Sequence, residues 1–384
     1  MTKEQWPTVK LGTLLSPVGV AERITQPEDE TFVTLKLHGG GAVPRNIGAG
    51  KTPKPFIGFR IRTNQFIYSR IDARNGAFAI VPKALDGAVV SKDFPVFSIG
   101  ELVESRYLAY FCTTPSFEKL VQVKSSGATN RQRIKEDLFL SLEIPLPPLE
   151  EQRRIARKLS LNQSTILRIQ KSIEMLENFR VQSAVRMFES ARQTLLLGDF
   201  CDTFGGTSLP TESPFKGEDS GILLMRVSDM NSVGNELFIN STVSWSDDDS
   251  FMKRNFVAPA GSTILPKRGA SISTNKKRLA VRPTYLDPNL MGVLPDSTVL
   301  KGVCMYYWFK TFDLNSITSG SSVPQLNKKD LTPLQIPIPD PNTQDMFVKL
   351  FNQTLAIERH LQQQIALARE LQSSLSTRAF TGEL

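Results

Sequence analysis

The chain has 384 residues, of which 40% are apolar and 22% are charged, so it is predicted to be a soluble globular protein with room for two or three domains. Its net charge of +8 and pI near 9.3 favour an anionic partner, although excess charge also serves solubility. No signal-like start and no apolar run of about 18 residues occurs, so neither export nor a membrane span is expected.

The first region, residues 1 to 143, is predicted to be an α/β domain with more strand than helix. Short β-rich segments, such as residues 65 to 69 and 77 to 81, are bounded by Gly, Pro or Asn. Residues 50 to 83 contain a lone Asp72 and seven basic residues, which are Lys51, Lys54, Arg60, Arg62, Arg70, Arg74 and Lys83. This first basic stretch is a candidate surface for an anionic partner.

Residues 144 to 190 are predicted to form a central helical segment. Its apolar residues recur at steps of three and four, as in the seam of a coiled coil. They are Ile155, Leu159, Ile166, Ile169, Ile173, Leu176 and Met187. A helix over residues 150 to 190 would be roughly 60 Å long. It begins after a run rich in proline, residues 145 to 148, which fixes an extended entry and cannot continue backwards as helix.

The second region, residues 191 to 335, is predicted to be another α/β domain. It opens with Leu196-Leu197-Gly198, as the first region opens with Lys10-Leu11-Gly12, and both regions end with an aromatic run before a Ser/Thr-Gly loop. The interiors differ, so we expect a shared architecture with different surfaces. Residues 253 to 282 contain no acidic residue and eight basic ones, which are Lys253, Arg254, Lys267, Arg268, Lys276, Lys277, Arg278 and Arg282.

Residues 336 to 384 repeat the central segment. At an offset of 192, Ile144, Pro145, Pro147, Gln152, Arg186 and Phe188 correspond to Ile336, Pro337, Pro339, Gln344, Arg378 and Phe380. A second seam follows Phe347, Phe351, Leu361, Ile365, Ala368 and Leu375, with Leu371 beside it. A repeat of this length predicts two half-molecules related by an approximate two-fold axis, and such symmetry usually mirrors a two-fold partner or target.

Neither long helix can bury its apolar stripe alone. The economical arrangement is an antiparallel pair that holds the two domains at a fixed distance. The alternative is two separate helices, each packed on its own domain, and the polar residues Asn162, Arg180 and Glu358 in the seams favour it. The predicted fold class is mixed α/β (α+β), with two domains, two long antiparallel helices forming a coiled coil, and a pseudo-two-fold internal repeat.

The two basic stretches lie at corresponding places of the repeat, which favours nucleic acid over a merely solvated positive face. In each domain a strand delivers basic residues to a following turn, Arg70 in one and Lys267-Arg268 in the other. Arg and Lys neutralise phosphates and reach guanine, whereas Asn and Gln can read adenine. Further candidates in turns and loops are Asn75, Asn275, Arg131, Gln132, Gln325 and Asn327. The denser run of residues 276 to 278 suits phosphates better than bases.

Cysteine and histidine usage limits the chemistry of the chain. Cys112, Cys201 and Cys304 are odd in number and far apart, which favours reduced thiols in the cytoplasm over a disulfide framework or a zinc ribbon. His38 and His360 are the only histidines, so a histidine-based metal cluster or catalytic relay is not expected. The carboxylates form no spaced acid and base pair, and no catalytic or metal-binding residue is predicted.

The run IPLPPLEEQRRIARKL from Ile144 to Leu159, together with the second copy ending LQSSLSTRAFTGEL, resembles the specificity subunit of type I restriction-modification enzymes. The elements PLPPLEEQ and AFTGEL are specific, and the run FIYSRIDARNGAF is also similar to that family. The resemblance covers the whole chain. It implies two target-recognition domains, residues 1 to 143 and 191 to 335, that alternate with helical repeats at residues 144 to 190 and 336 to 384.

On this resemblance each domain reads one half of a split, asymmetric sequence in double-stranded DNA. The helices set the spacing and dock two modification (methyltransferase) subunits, with docking residues at Leu149, Glu150, Gln152, Arg153, Gln344 and Phe347. The chain itself is expected to be non-catalytic and to bind no cofactor. S-adenosylmethionine, ATP and magnesium are expected on the modification and restriction (translocase and nuclease) subunits, in a prokaryotic cytoplasm.

The second copy departs from the family pattern where residues 340 to 343 read DPNT in place of PLEE, so the two docking sites are not expected to be equal. Two other functions stay open on the sequence alone. One is a non-catalytic coiled-coil scaffold whose basic faces bind acidic proteins, and the other is a small-molecule enzyme with an unrecognised site.

Overall fold

The computed structural model describes residues 6–47, 52–126, 133–208, 213–214, 221–246, 254–318 and 324–383. The chain divides into two compact units, of which the first comprises residues 1–170 and 363–384 and the second residues 171–362. Each unit therefore combines one of the predicted domains with a segment of each long helix.

The first unit is built from short strands and short helices. Its strands are β1 (Thr8–Lys10), β2 (Leu15–Pro17), β3 (Ala21–Ile24), β4 (Val33–Leu35), β5 (Ala42–Pro44), β6 (Phe56–Arg60), β7 (Phe66–Tyr68), β8 (Phe78–Ile80), β9 (Val89–Ser91), β10 (Val96–Ile99) and β11 (Glu143–Pro145). Its helices are α1 (Leu11–Leu14), α2 (Ser105–Cys112), α3 (Pro115–Lys124) and α4 (Glu136–Leu140), and the long helix α5 (Leu149–Glu189) follows.

An antiparallel sheet with the strand order β2-β10-β7-β8 contains the main core of the first unit. A second sheet has the order β3-β6-β9, and β4 pairs with β5. Aromatic rings of the main sheet pack against Phe139 of α4, whose ring centroid lies 4.1 Å from that of Tyr68. Burying one such side chain contributes about 1.5–3 kcal/mol, so the cluster fixes α4 beside the end of β7.

The second unit is likewise built from short strands. They are β12 (Gln193–Leu196), β13 (Cys201–Phe204), β14 (Ser213–Pro214), β15 (Ile222–Met225), β16 (Phe238–Ile239), β17 (Ser244–Ser246), β18 (Val257–Ala258), β19 (Thr263–Pro266), β20 (Arg278–Ala280), β21 (Thr284–Leu286), β22 (Leu290–Pro295) and β23 (Gln335–Ile338). The helices are α6 (Leu197–Phe200), α7 (Ala270–Ser273), α8 (Gly302–Thr311), α9 (Lys328–Leu331) and the long α10 (Pro341–Phe380).

The main sheet of the second unit repeats that of the first. Its order is β13-β22-β19-β20-β16, and its first four strands pair antiparallel in the same sequence as β2-β10-β7-β8. The remaining strands differ, because a further sheet has the order β14-β17-β15-β21-β18 with β15 parallel to β21. The two domains thus share a central sheet and differ around it, as the sequence predicts.

Each domain begins and ends on one pair of antiparallel strands. Thr8 of β1 lies opposite Pro145 of β11, and Gln193 of β12 lies opposite Ile338 of β23. The Ile-Pro sequence of each helical repeat therefore forms the last strand of the domain that precedes it. Proline is tolerated there because an edge strand can spare an N–H group.

A buried glutamine ties α5 to the first domain. The Gln152 side chain is 1% exposed, and its Oε1 accepts a hydrogen bond from the backbone N–H of Glu104 at 2.8 Å. Its Nε2 donates to the carbonyl oxygens of Leu102 at 3.1 Å and Pro147 at 2.8 Å. Because Glu104 is the N-cap residue of α2, one side chain joins the start of α2, the loop before it and the proline run.

Gln344 makes the same three bonds in the second unit. Its Oε1 accepts from the N–H of Lys301, the N-cap residue of α8, at 3.0 Å. Its Nε2 donates to the carbonyl oxygens of Val299 at 3.0 Å and Pro339 at 2.9 Å. The repeated glutamine is therefore a structural connection that the fold uses twice.

The helices α5 and α10 confirm the two predicted long helices and their packing. In the first unit, Ile155 and Leu159 share a buried cluster with Ala379. In the second unit, Met187 shares one with Phe351. Within each unit the two helical segments pack antiparallel. The seam is less buried at Ile169, Ile173 and Leu176 than at its ends.

The polar seam residues join the helices instead of separating them. In the first unit, Asn162 Nδ2 donates to the carbonyl oxygen of Ala368 and to Gln372 Oε1, both at 2.8 Å. A single polar residue in an apolar seam fixes the register of a coiled coil, because a shifted helix leaves it without a partner. The alternative of two unpaired helices is thereby excluded for this unit.

In the second unit, Arg180 is the central polar residue of the helix pair. Its side chain is 1% exposed, and its guanidinium forms ion pairs with Glu358 of α10 and, at 3.1 Å, with Glu177 of α5. Glu177 also accepts a hydrogen bond from the Tyr307 hydroxyl at 3.1 Å. Burial by itself lowers the pKa of Arg180, but Tyr307 and the two glutamates outweigh it, so the pKa is raised and the guanidinium stays charged.

Candidate nucleic-acid interface

The turn after the central strand is held in the same way in both units. In the first unit the N–H of Ile134 donates to the carbonyl oxygen of Arg70 at 3.1 Å, just after β7. In the second unit the N–H of Leu326 donates to the carbonyl oxygen of Lys267 at 2.9 Å, just after β19. Each donor lies on the loop before a short helix, α4 or α9. The fold therefore brings together turn and loop residues that the sequence predicts as separate candidates.

Arg268 and Gln325 lie opposite each other in the second unit. They form an antiparallel bridge, in which the N–H of Gly269 also donates to the carbonyl oxygen of Pro324 at 2.9 Å. Both side chains are exposed, and no described residue forms an ion pair with Arg268. Gly269 has a φ of 67° and faces open space, since a Cβ built there meets nothing within 4 Å. Two of the predicted contact residues thus share one open surface.

Lys267 is only partly available at this turn. Its side chain is half-buried, and desolvation, with a smaller effect from the Arg268 charge, lowers the pKa of its ammonium group. A partly desolvated lysine beside an arginine gains from an anion that approaches both. The turn is therefore suited to a negatively charged or acceptor-rich partner.

Two other candidates hold the turn from inside. Lys277 is 2% exposed, and its Nζ donates to Asn275 Oδ1 and to the carbonyl oxygen of Phe312, both at 2.7 Å. Asn275 Oδ1 also accepts from the N–H of Leu314 at 3.0 Å. Burial lowers the pKa of Lys277 to about 8. These contacts give Lys277 and Asn275 a structural role, which revises their assignment to phosphates and bases.

Arg278 is likewise a residue of the core. It is 8% exposed, and its guanidinium donates to the carbonyl oxygens of Lys277 and Met230. Lys276 is half-buried, and its Nζ donates to the side-chain oxygen of Asn231. The predicted phosphate run at residues 276 to 278 therefore reduces to Lys276, because strand β20 begins at Arg278 and turns that side chain inward.

In the first unit Arg60 is bound by acidic neighbours. Its guanidinium pairs with Glu22 at 2.9 Å and with Glu30 at 2.7 Å, and it donates to the carbonyl oxygen of Gly87 at 2.7 Å. The hydrogen bond from Arg60 lowers the pKa of Glu30. Arg62 is more exposed and lies 3.6 Å from an Asp86 carboxylate oxygen. Arg60 is thus a structural cross-link, whereas Arg62 stays a candidate for contacts.

The turn of the first unit carries its own internal contacts. Arg70 pairs with Glu136 at 2.8 Å, and both side chains are about one third exposed. The carbonyl oxygen of Arg74 accepts from Gln122, and that of Asn75 accepts from the N–H of His38 at 2.8 Å. These three residues surround the turn, as predicted, but Arg70 would have to exchange Glu136 for a phosphate or a base.

The remaining candidates fall into three groups. Lys54 is exposed. Asn327 forms a capping box with Asp330 at the start of α9 and so serves the helix. Lys51, Arg131 and Gln132, and also Lys253 of the second basic stretch, lie outside the described residues.

Three further basic residues at the candidate interface were not predicted. Arg133 corresponds to Gln325 at the offset of 192, and it pairs with Asp93 at 3.3 Å while remaining about half exposed. Lys328 and Lys329 are exposed and lie on α9, directly after the loop that carries Gln325. The sequence feature that could have identified all three is their position next to the Ser/Thr-Gly loops.

The predicted docking residues divide between the core and the surface. Gln152 and Gln344 are the buried connections described above, and Phe347 packs on Tyr307 with ring centroids 5.3 Å apart. At the start of α5, Leu149 is half-buried, whereas Glu150 and Arg153 are exposed and form an ion pair. Of the six predicted docking residues, Glu150 and Arg153 are therefore the two that are exposed for contact with a partner.

Other kinds of site are not apparent in the described part of the chain. No group of His, Cys, Asp and Glu there could hold a metal ion, and no helix there is long and apolar enough to cross a membrane. The thiols of Cys112, Cys201 and Cys304 are free, and burial raises the pKa of each.

A family model for the type I restriction modification DNA specificity domain matches residues 44–178 and 193–367, which is more than half of the chain. The chain belongs to this family. The two matches fall on the two halves of the internal repeat, so the specificity domain is present twice.

Two curated relatives align with much of the chain. The putative type I restriction enzyme MjaX specificity subunit of Methanocaldococcus jannaschii is 22% identical over 295 residues, covering 70% of this chain and 66% of its own length. The type I restriction enzyme EcoBI specificity subunit of Escherichia coli is 23% identical over 333 residues, covering 74% and 67%. The chain thus spans about two thirds of the length of these relatives.

Solved structures agree in fold. A chain from a type I R-M system, studied for complex assembly and conformational transition, is 20% identical with a TM-score of 0.56 and full coverage of both chains. The type I restriction-modification system S subunit from M. genitalium is 14% identical with a TM-score of 0.56, covering 98% of this chain and 96% of that one. At these identities the similarity concerns the fold alone.

Proposed function

We propose that this chain is the DNA-binding specificity subunit of a type I restriction-modification complex and that it recognises a bipartite, asymmetric sequence. One observation carries the proposal. The same turn after a central strand occurs twice and is held by equivalent hydrogen bonds, yet it presents Ile71 and Arg133 in one domain and Arg268 and Gln325 in the other. A duplicated frame with different residues at the same positions suits two half-sites of different sequence.

Catalysis is proposed to reside in partner subunits. On this proposal the modification subunits transfer methyl groups with S-adenosylmethionine, and the restriction subunits translocate and cleave DNA with ATP and magnesium. The chain contributes sequence selection and attachment, in the cytoplasm of a prokaryote.

Docking of two modification subunits is proposed on the exposed faces of the long helices. In addition to the charged pair Glu150 and Arg153, the helices expose several large apolar side chains that the seam does not bury. In the second unit these include Met175 and Phe179 of α5 and Ile357 of α10, each at least half exposed. Apolar patches rimmed by polar residues are typical of protein interfaces.

Footprinting of the chain with its modification partner tests the bipartite target. We expect two protected blocks with base preferences, separated by a spacer without preference, because each domain has its own turn and basic residues. One continuous block with uniform base dependence would contradict the bipartite model. Salt-dependent binding without any sequence preference would favour the coiled-coil scaffold with basic faces instead.

Exchange of residues 1 to 143 for the corresponding domain of a relative is expected to change one half-site only. The domain closes on the strand pair β1 and β11, whose backbone pairing depends little on side chains, so the exchanged domain can close in the same way. Methylation patterns of the hybrid complex on random-sequence DNA provide the measurement. The matched control is the reciprocal exchange of residues 191 to 335, and changes in both half-sites from either exchange would reject this modularity.

A further inference from the structure

The bridge between the second-unit turn and loop has a definite geometry. The bond from Gly269 to Pro324 and the bond from Leu326 to Lys267 flank Arg268 and Gln325 and do not join them directly. In antiparallel strands such a flanked pair has Cα atoms about 4.5 Å apart, and both side chains point to the same face. Arg268 and Gln325 therefore project side by side from an isolated β-bridge between the turn and the loop.

These two side chains have complementary chemistry toward purines. A guanidinium donates two hydrogen bonds to O6 and N7 of guanine, and a carboxamide accepts from N6 and donates to N7 of adenine. Side chains about 5 Å apart can contact neighbouring base pairs, whose rise is about 3.4 Å.

We propose that Arg268 and Gln325 form one recognition element that selects a guanine and an adenine on adjacent base pairs of the half-site bound by the second domain. This inference rests on the proposed function and adds the residues and the base step. In the sequence Arg268 and Gln325 are separate candidates, 57 positions apart. The bridge makes them neighbours in the structure.

The backbone under this pair is well anchored while its side chains are exposed. Ser271 Oγ donates to the carbonyl oxygen of Arg268 at 2.7 Å, and Lys277 and Asn275 hold the following segment from inside. Gly269 has a φ of 67°, which favours glycine, and its surroundings are open. Because it has no side chain, DNA can approach the backbone closely at this point. A fixed backbone with free side-chain ends favours specific contacts over loose charge attraction.

The corresponding place in the first unit is occupied differently. There Ile71 and Arg133 take the positions of Arg268 and Gln325, and Arg133 pairs with Asp93 at 3.3 Å. The guanine-adenine step is therefore assigned to the second domain alone.

The test uses the full chain in complex with its modification partner and a panel of duplexes with every single base-pair change in the second half-site. Arg268→Ala should lose roughly 5- to 150-fold of discrimination at one G·C pair. Gln325→Ala should lose a similar factor at the adjacent A·T pair. Lys329→Ala, which removes a nearby exposed charge, is the matched control and should weaken binding to all duplexes alike.

Each result has a distinct meaning. If either variant lowers affinity uniformly and keeps every base preference, or if the two variants relax base pairs that are not adjacent, the recognition element is rejected while the proposed function stands. If the parent complex shows no base preference on the same panel, the proposed function itself fails. Circular dichroism of each variant checks that the exposed substitutions leave the fold intact.

Discussion

Arg180→Met is expected to lower the free energy of unfolding of the second unit by about 3–5 kcal/mol, because it leaves the Glu358 carboxylate in the helix pair without its cation, whereas Glu177 keeps its ion pair with Lys310 at 3.2 Å. Arg180 is 1% exposed and pairs with Glu358 and Glu177 across and along the helices. Urea unfolding of the full chain, followed by far-UV circular dichroism, gives the measurement.

The matched control is Arg153→Ala, which removes the arginine of an exposed ion pair on the same helix. A surface pair of this kind is worth about 0–1 kcal/mol, so a small effect is expected. The double substitution Arg180→Met with Glu358→Met should recover part of the loss, since it removes the uncompensated charge. Equal effects of Arg180→Met and Arg153→Ala would show that the buried pair has no special role.

Gln152→Ala and Gln344→Ala are each expected to cost about 2–4 kcal/mol, because each leaves one buried N–H and two carbonyl oxygens unpaired. The two losses should be similar, since the two side chains make equivalent bonds in their own units. Gln353→Ala on the exposed face of α10 is the control and should change stability by less than about 0.5 kcal/mol.

Gln152→Glu separates hydrogen bonding from packing. A glutamate of the same shape cannot donate to the carbonyl oxygens of Leu102 and Pro147 while it is ionised, so its pKa should be raised in the folded state. A raised folded-state pKa makes the variant gain stability relative to the parent as pH falls through that pKa. A difference from the parent that does not change with pH would mean that the donated bonds contribute little.

The long helices could be predicted because their apolar residues keep one period over forty residues, but their polar seam residues were misjudged. Asn162, Arg180 and Glu358 weaken a coiled-coil pattern when each is considered alone. In the structure Asn162 bonds across to α10, and Arg180 pairs with Glu358. The apolar pattern depends on the type of each side chain and does not show which residue of the other helix that side chain contacts.

The candidate interface was predictable in position but not in detail. The turn after β19 lies where the sequence places it, because a buried strand followed by Gly269 has to turn. Counts of basic residues could not tell Arg268 from Lys277, which is buried and bonded to Asn275. The burial of Lys277 depends on its contact with Phe312, which lies 35 positions further along the chain.

The polar cross-links of the helix pair also decide which helices can associate. Since α5 and α10 are copies, each resembles a partner that a second molecule could supply. At the offset of 192, Glu358 corresponds to Ile166 and Arg180 to Gln372, so two α5 helices would place Arg180 against Ile166. An arginine buried without a carboxylate costs several kcal/mol, on the order of a buried pair that has lost one member. The pairing of two α5 helices from different molecules is thus disfavoured relative to the pairing of α5 with α10.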